Sequence, residues 1–175
     1  MAFNPPQMFK VGAGFMFGGK AGAGPMKIES RIGIKAPAEV IWEIASDFRS
    51  WSFWNPTYTK GAGELRIGAP LEFTLELPGE PPQVINPVLV EWVPLEQIHW
   101  SLTLARGLVR TVRYIEIEAL NEASCIVSNG EIFEGLLGPT AARSKRHAIR
   151  QGFIAMSEAL AARAEARWQE ISGAK

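Results

Sequence analysis

The chain has 175 residues, of which 47% are hydrophobic, and its formal net charge at pH 7 is zero. This composition is typical of one globular domain, and the balanced charge argues against a protein that binds nucleic acid. A single cysteine, Cys125, excludes an internal disulfide, and with only two histidines we expect no metal site. We expect a reducing, cytoplasmic location, with no secretory signal and no transmembrane segment.

Residues 1–26 differ from the remainder of the chain. Glycines alternate there with phenylalanine, methionine and valine, which combines high backbone entropy with apolar side chains. We interpret this stretch as a tail and place the folded domain at 27–172. The spacing of Gly12, Gly14 and Gly18 is only superficially that of a dinucleotide-binding loop, because no strand precedes it and no helix pattern follows.

The folded part begins with a strand and two helical segments. Isoleucines alternate along residues 27–35, which predicts a strand. Pro37 stands in the first turn of a predicted helix that ends before Asp47. The aromatic-rich stretch 48–56 is predicted to be a short helix or turn, because an Asn-Pro pair ends it.

Strand-like segments separated by turn signals fill the middle of the chain. They are residues 57–61, 69–77, 83–93, 98–104, 110–119 and 124–133. Segment 83–93 is apolar on both faces. We expect its outward face to carry the side chains of Val84, Val88, Val90 and Trp92. A soluble monomer rarely leaves such a strip bare, so we expect the tail segment 3–17 or a second copy of the domain, as in a homodimer, to cover it.

A long amphipathic helix is predicted from Pro139 to about Trp168. Apolar residues recur there at steps of three, four or seven and form one stripe, and proline is tolerated in the first turn. Strands that follow one another as a meander pair antiparallel. The element order therefore predicts an α+β fold in which a curved antiparallel sheet wraps around this helix, with the first strand at or near a sheet edge beside the last strand. We expect an internal cavity where the bent sheet and the straight helix diverge.

Several motifs occur in the order and spacing of the START-like, or SRPBCC (Bet v 1-like), superfamily. They are residues 34–42, Trp51-x-x-Trp54-Asn55-Pro56, residues 63–68, Pro87-x-Leu89 with Pro94, residues 98–100 and residues 133–137. Over about residues 27–168 the chain is identified as a member of this superfamily, and it more narrowly resembles the bacterial polyketide cyclase/dehydrase-type branch. The resemblance implies a helix-grip fold and a cavity for hydrophobic or lipid-like molecules. Relatives often carry histidines on the sixth and seventh strands, where this chain has Arg113 and Asn129, so their histidine-based chemistry is not carried over.

Three polar residues of the last two strands lie in phase with inward-facing apolar residues, namely Arg113, Asn129 and Glu131. A hairpin around residues 120–123 places Arg113 opposite Glu131 or Asn129. A buried charge is costly unless it is paired. The set is therefore either a structural ion pair at the rim of the sheet or a polar patch that orients a ligand at one end of an apolar cavity.

The remaining candidate residues would form the wall and the mouth of that cavity. The predicted apolar wall consists of Trp100, Phe73, Leu75, Leu89 and Phe153. Lys145 and Arg146, near the start of the long helix, are expected to add positive charge at the mouth. His99 and His147 are predicted to face water, and Cys125 to be a small buried hydrophobe. A Ser-His-Asp or Cys-His arrangement is therefore not expected.

The sequence favours binding of a small, largely hydrophobic molecule that carries one polar or anionic group, without a cofactor. An alternative is a cofactor-independent cyclase or dehydratase, a lyase acting on an aromatic or polyketide-like substrate. In that enzyme Glu131 would exchange a proton and Arg113 would stabilise an enolate or phenolate oxygen. A third alternative is a protein-interaction module whose cavity is filled by its own side chains.

Overall fold

The computed structural model describes residues 24–173, which contain eight strands. They are β1 (Met26–Ile34), β2 (Tyr58–Gly63), β3 (Leu71–Leu75), β4 (Gln83–Ile85), β5 (Val88–Val93), β6 (Gln97–Leu104), β7 (Val109–Asn121) and β8 (Ser124–Glu134). Within this part of the chain the helices are α1 (Ala38–Ser46), α2 (Gly138–Gly173) and the short 3-10 helices Phe48–Phe53 and Ala105–Gly107. All strand pairs are antiparallel, as predicted.

The strands form two sheets that continue into one another. The larger sheet has the order β1-β8-β7-β6-β5, and the smaller has the order β2-β3-β4. A backbone bridge between Pro70 and Val88 links β3 to β5. Beside it, the amide of Gly68 donates to the carbonyl of Leu89 over 2.8 Å. The sheets therefore form one curved wall.

Helix α2 packs against β1, β8 and β7. It runs from Gly138 to Gly173, so it begins one residue before the predicted Pro139 and continues beyond the predicted end near Trp168. The apolar stripe is buried along the helix, at Ala142, Ile149, Phe153, Met156, Leu160 and Ala164. Strand β1 lies at one edge of the larger sheet, beside β8, the last strand. The helix-grip architecture predicted from the sequence is confirmed.

The prediction of one strand over residues 83–93 is wrong. The chain breaks at Asn86-Pro87, where the proline has no amide to donate and restricts the residue before it. Strand β4 consequently pairs with β3, whereas β5 pairs with β6. A bulge at Val90 then changes the alternation along β5.

The bulge reverses the predicted direction of Trp92. Its ring is half-buried and stacks on Trp42 with 6.3 Å between the ring centroids. The outward strip is therefore reduced to what we call the valine strip: Val84, Val88 and Val90, which are 64%, 42% and 37% exposed. The segment 3–17, which was predicted as one of two covers for this strip, lies outside the described residues.

Candidate functional site

A cavity of about 250 Å³ lies between the start of α2, the smaller sheet and strands β6 to β8. Most of its wall is apolar and includes Leu75, Leu77, Ile85, Trp100, Phe133 and Phe153. The polar groups on the wall belong to Tyr58, Gln83, Thr111, Arg113, Glu131, Ser144 and Lys145. This combination of apolar surface with a few polar groups is typical of sites for small molecules.

Three of the five predicted wall residues line the cavity: Trp100, Leu75 and Phe153. Phe73 and Leu89 do not, because both are fully buried in the packed core. The ring of Phe73 stacks on Trp51 with 5.2 Å between centroids. Sequence periodicity assigns a residue to the inner face, but it does not show whether neighbouring side chains fill the space in front of it.

Arg113 and Glu131 are directly opposite each other on β7 and β8, which is one of the two predicted registers. Among residues 24–173, however, no carboxylate is within salt-bridge distance of Arg113. Its Nε donates to the hydroxyl of Tyr58 over 3.2 Å. Its Nη1 donates to the carbonyls of Tyr114 and Gly130, both at 2.8 Å.

The second terminal nitrogen of Arg113 is occupied as well. Nη2 donates to Oδ1 of Asn129 and to the sulfur of Met156. The centre of the guanidinium lies 3.9 Å from the ring centroid of Phe153, which is a cation–π contact. All five N–H donors of the arginine are thus used by protein groups. The side chain joins β7, β8, β2 and α2, and it keeps no donor for a ligand.

Asn129 extends this network away from the cavity. It is buried, and its Nδ2 donates to the carbonyl of Phe153 and to Oγ of Ser157, both over 3.1 Å. It is not among the lining residues, contrary to the sequence prediction, because its amide is bound to α2. Sequence reasoning missed Ser157; the signal was a serine in phase with the buried stripe of the helix.

Glu131 is half-buried and lines the cavity. Burial raises the pKa of this carboxyl above its ordinary value, although the charge of Arg113 and a hydrogen bond with Thr111 act in the opposite direction. Burial outweighs both of these effects, so the carboxyl holds its proton to a higher pH than an exposed glutamate does. It is a titratable group at the polar end of an apolar cavity.

Tyr58 is the site residue that the sequence did not reveal. It is 3% exposed and lies on the cavity wall, at the start of β2. Oδ1 of Asn55 accepts hydrogen bonds from the amides of Thr57 and Tyr58, and so fixes the chain at this point. The motif Asn55-Pro56, which ends two residues before Tyr58, was the available signal.

The phenol of Tyr58 is prepared to donate a hydrogen bond. Its oxygen accepts from Arg113, and within residues 24–173 its own proton has no acceptor. Burial raises the pKa of the phenol, and the charge of Glu131 acts in the same direction, whereas Arg113 lowers it. The group therefore stays protonated near neutral pH.

Of the two predicted cations at the mouth, Lys145 lines the cavity and Arg146 does not. Lys145 forms a salt bridge of 2.5 Å with Glu80, which lies in the loop after β3. Consecutive residues of a helix point about 100° apart, so Arg146 is turned away from the cavity and is exposed.

The histidines and the cysteine lie outside this site. His99 is on the outer face of β6, with Nε2 3.2 Å from a carboxylate oxygen of Glu116, and His147 is exposed. Cys125 is buried, and burial raises the pKa of its thiol. The described residues contain no cluster of three or more His, Cys, Asp or Glu side chains that could hold a metal ion. None of the helices between residues 24 and 173 is long and apolar enough to cross a membrane.

Solved structures with the same fold include several enzymes. The aromatase/cyclase Zhui from Streptomyces sp. R1128 aligns with a TM-score of 0.67 and 16% identity, over 82% of this chain and 95% of that one. Norcoclaurine synthase from Thalictrum flavum, as a point mutant with a transition-state analogue, aligns with a TM-score of 0.62 and 17% identity, over 82% and 96%. A START superfamily protein from Mycobacterium smegmatis gives a TM-score of 0.58 and 20% identity, over 83% and 98%.

At these identities the likeness establishes the fold alone. No curated protein matches the chain significantly in sequence. The family model described as "Polyketide cyclase / dehydrase and lipid transport" matches residues 25–165, which is most of the chain. The chain therefore belongs to this polyketide cyclase/dehydrase and lipid transport family.

Proposed function

We propose that the chain binds a small, largely apolar molecule with one polar group in the cavity beside α2. The observation that carries this is a largely apolar cavity of about 250 Å³ whose lining includes the hydroxyl of Tyr58 and the carboxyl of Glu131. A cavity of about 150 Å³ is enough to hold benzene. The volume therefore suits a molecule of one or two rings, or an acyl chain of similar size.

The hydroxyl of Tyr58 would orient the ligand by donating a hydrogen bond to an oxygen of its polar group. Arg113 acts indirectly, because its Nε binds the tyrosine oxygen and leaves the phenol proton for the ligand. The rings of Trp100 and Phe153 would contact the apolar part. An open cavity also argues against an interaction module whose cavity is filled by its own side chains.

The test is to fill the cavity without disturbing the fold. Native mass spectrometry of freshly purified protein reports any co-purified molecule, and the fluorescence of N-phenyl-1-naphthylamine measures binding of a small, uncharged aromatic probe. Ala141→Leu places extra volume in the lined space and is expected to weaken probe binding at least about tenfold. Val84→Leu, on the exposed valine strip, is the control. Equal probe binding by both variants would refute cavity binding.

A cyclase or dehydratase activity is the second candidate, and the raised pKa of Glu131 beside Tyr58 favours it. In its carboxylate form Glu131 would take a proton from a carbon next to a carbonyl, while Tyr58 donates a hydrogen bond to the enolate oxygen. The enolate would then expel a β-hydroxyl group, which leaves as water with the proton returned by Glu131. Tyr58 thus takes the role that the sequence assigned to Arg113.

This activity would be measured as formation of a conjugated enone from an aryl β-hydroxyketone. Glu131→Gln is expected to abolish turnover and to keep probe binding within about twofold, because the amide has nearly the same shape as the carboxyl. If turnover survives in this variant, Glu131 is not the base. If turnover is undetectable in the parent chain, the dehydratase activity is refuted. In either case ligand binding is left as the function.

A further inference from the structure

Four exposed leucines lie at or next to residues that line the cavity, because Leu104, Val109 and Ala141 belong to its wall. They lie on two adjoining turns and are Leu104, Leu108, Leu136 and Leu137, which are 46%, 44%, 76% and 42% exposed. The turns are held together, because the amide of Leu137 donates to the carbonyl of Leu108 over 3.0 Å. Leu104 also lines the cavity itself. We call these four residues the mouth patch.

Positive charge surrounds the mouth patch. Arg106 projects from the first turn, and Arg143 and Arg146 from the start of α2; all three are exposed. None of them forms a salt bridge with a residue between 24 and 173. The nearby cations Arg110 and Lys145 are paired with glutamates. This end of a formally neutral chain therefore carries a net positive charge.

The opposite end of the domain carries exposed glutamates. Those on α1, on the turn before β6 and at the end of the β7–β8 hairpin form no salt bridge with a residue between 24 and 173; they are Glu39, Glu96 and Glu122. Glu118, on the same hairpin, is paired with Arg31. Strand β7 connects the two ends over 13 residues, or about 40 Å. That length is several Debye lengths at physiological ionic strength, so the two ends act independently on a charged surface.

We propose that the mouth of the cavity docks on the surface of a membrane that contains anionic lipid. Apolar side chains on loop tips enter the boundary between headgroups and acyl chains, and adjacent arginines bind the anionic headgroups. A soluble partner would require a complementary acidic surface with pockets for the leucines, whereas a bilayer supplies both components without specific shape. The docked cavity would open directly toward the lipid, which gives an apolar ligand a path that avoids water.

The experiment is co-sedimentation of the full chain with vesicles of phosphatidylcholine, alone or mixed with phosphatidylglycerol. Binding is expected only to the mixed vesicles and is expected to be lost in high salt. Leu108→Ser with Leu136→Ser should weaken it at least about tenfold. Arg106→Glu should weaken it about 25-fold, because each unit of charge near the surface changes affinity about fivefold.

Matched substitutions at the opposite end serve as controls. Leu120→Ser removes an apolar side chain that is 57% exposed at the β7–β8 turn, and Arg163→Glu reverses an exposed charge about 25 Å along α2 from Arg146. Both are expected to bind mixed vesicles as the parent does. Hydrogen exchange with vesicles present should slow at residues 104–110 and 135–146.

Three results would overturn membrane docking by the mouth patch: no binding of the full chain to mixed vesicles, an equal loss in the control variants, or full binding by the mouth variants. The last result would mean that another part of the chain, such as residues 1–23, contacts the lipid. Vesicle binding is measured without a cavity ligand, so its failure would not bear on the ligand-binding function, which probe fluorescence tests separately.

Discussion

Arg113→Ala tests whether the buried arginine is a structural brace or a ligand-binding group. The side chain is 2% exposed, and its five donors bind Tyr58, two backbone carbonyls, Asn129 and the sulfur of Met156. Alanine would leave these acceptors without a donor in the space that the guanidinium now fills. We therefore expect a large loss of stability in the absence of any ligand.

The loss can be estimated from the contacts. The carbonyls of Tyr114 and Gly130 and the amide oxygen of Asn129 would each lose a charged donor at a buried position, at about 1 kcal/mol or more apiece. Water from the adjoining cavity can replace part of this, and removal of an unpaired buried charge gives some stability back. We expect about 3 kcal/mol in all, which lowers the melting temperature of a domain of this size by about 6–12 °C.

Urea denaturation followed by tryptophan fluorescence measures this difference in unfolding free energy. Arg110→Ala is the control, because Arg110 lies on the same strand and has a side chain that is 56% exposed. Its polar contacts are long, at 3.8 Å to Glu134 and 3.4 Å to the hydroxyl of Ser101. It is expected to change stability by less than about 0.5 kcal/mol. If Arg113→Ala unfolds within about 1 kcal/mol of the parent, the guanidinium is not a brace and its donors are exchangeable for water or a ligand.

Three further outcomes follow from the structure. Burial raises the pKa of Glu131 in the folded state above its unfolded value near 4.5, so the stabilisation from the protonated carboxyl is full below pH 4.5 and is lost as the pH rises through the folded-state pKa. Because glutamine stays neutral, urea titrations should show Glu131→Gln gaining stability relative to the parent between pH 4.5 and pH 8. Gly130→Ala should destabilise by about 3 kcal/mol, because a Cβ there would lie 2.2 Å from the Tyr114 hydroxyl and 2.9 Å from a backbone oxygen, whereas Gly33→Ala, with open space around it, should be close to neutral in the same assay. Deletion of residues 1–23 should change solubility or sedimentation if that segment covers the valine strip, and unchanged behaviour would leave a second copy as the expected cover.

The register between the last two strands was predictable to within two alternatives, because a short turn joins two strands with clear alternation. The alternation and the turn at residues 120–123 place Arg113 opposite Glu131 or Asn129, and the structure has Glu131 there. The long helix and its start were predictable for a similar reason, since Gly138 and a proline precede an uninterrupted apolar stripe. Patterns of this kind depend on local periodicity, which a single sequence records.

The hydrogen-bond partners of Arg113 were not predictable from that pattern. Alternation places the side chain on the inner face, but a guanidinium at the end of a flexible stem reaches groups on several elements. Tyr58 comes from a strand 55 positions earlier, and Met156 from a helix 43 positions later. The split of segment 83–93 was hidden for a different reason, because a stretch that is apolar on both faces gives no phase from which a bulge can be detected.

Arg113 and Glu131 lie opposite each other without forming a salt bridge, and this changes which ligand the cavity suits. An ion pair would have left a neutral site, and a free arginine would have favoured an anionic ligand. The sequence leaves the group on the ligand as polar or anionic. The structure instead has an arginine whose donors are all occupied and a glutamate that faces the cavity without a neutralising contact. A carboxylate or phosphate there would meet the charge of ionised Glu131 in a poorly solvated space. A neutral carbonyl or hydroxyl can accept from Tyr58 and donate to or accept from Glu131, so the polar group of the ligand is expected to be uncharged.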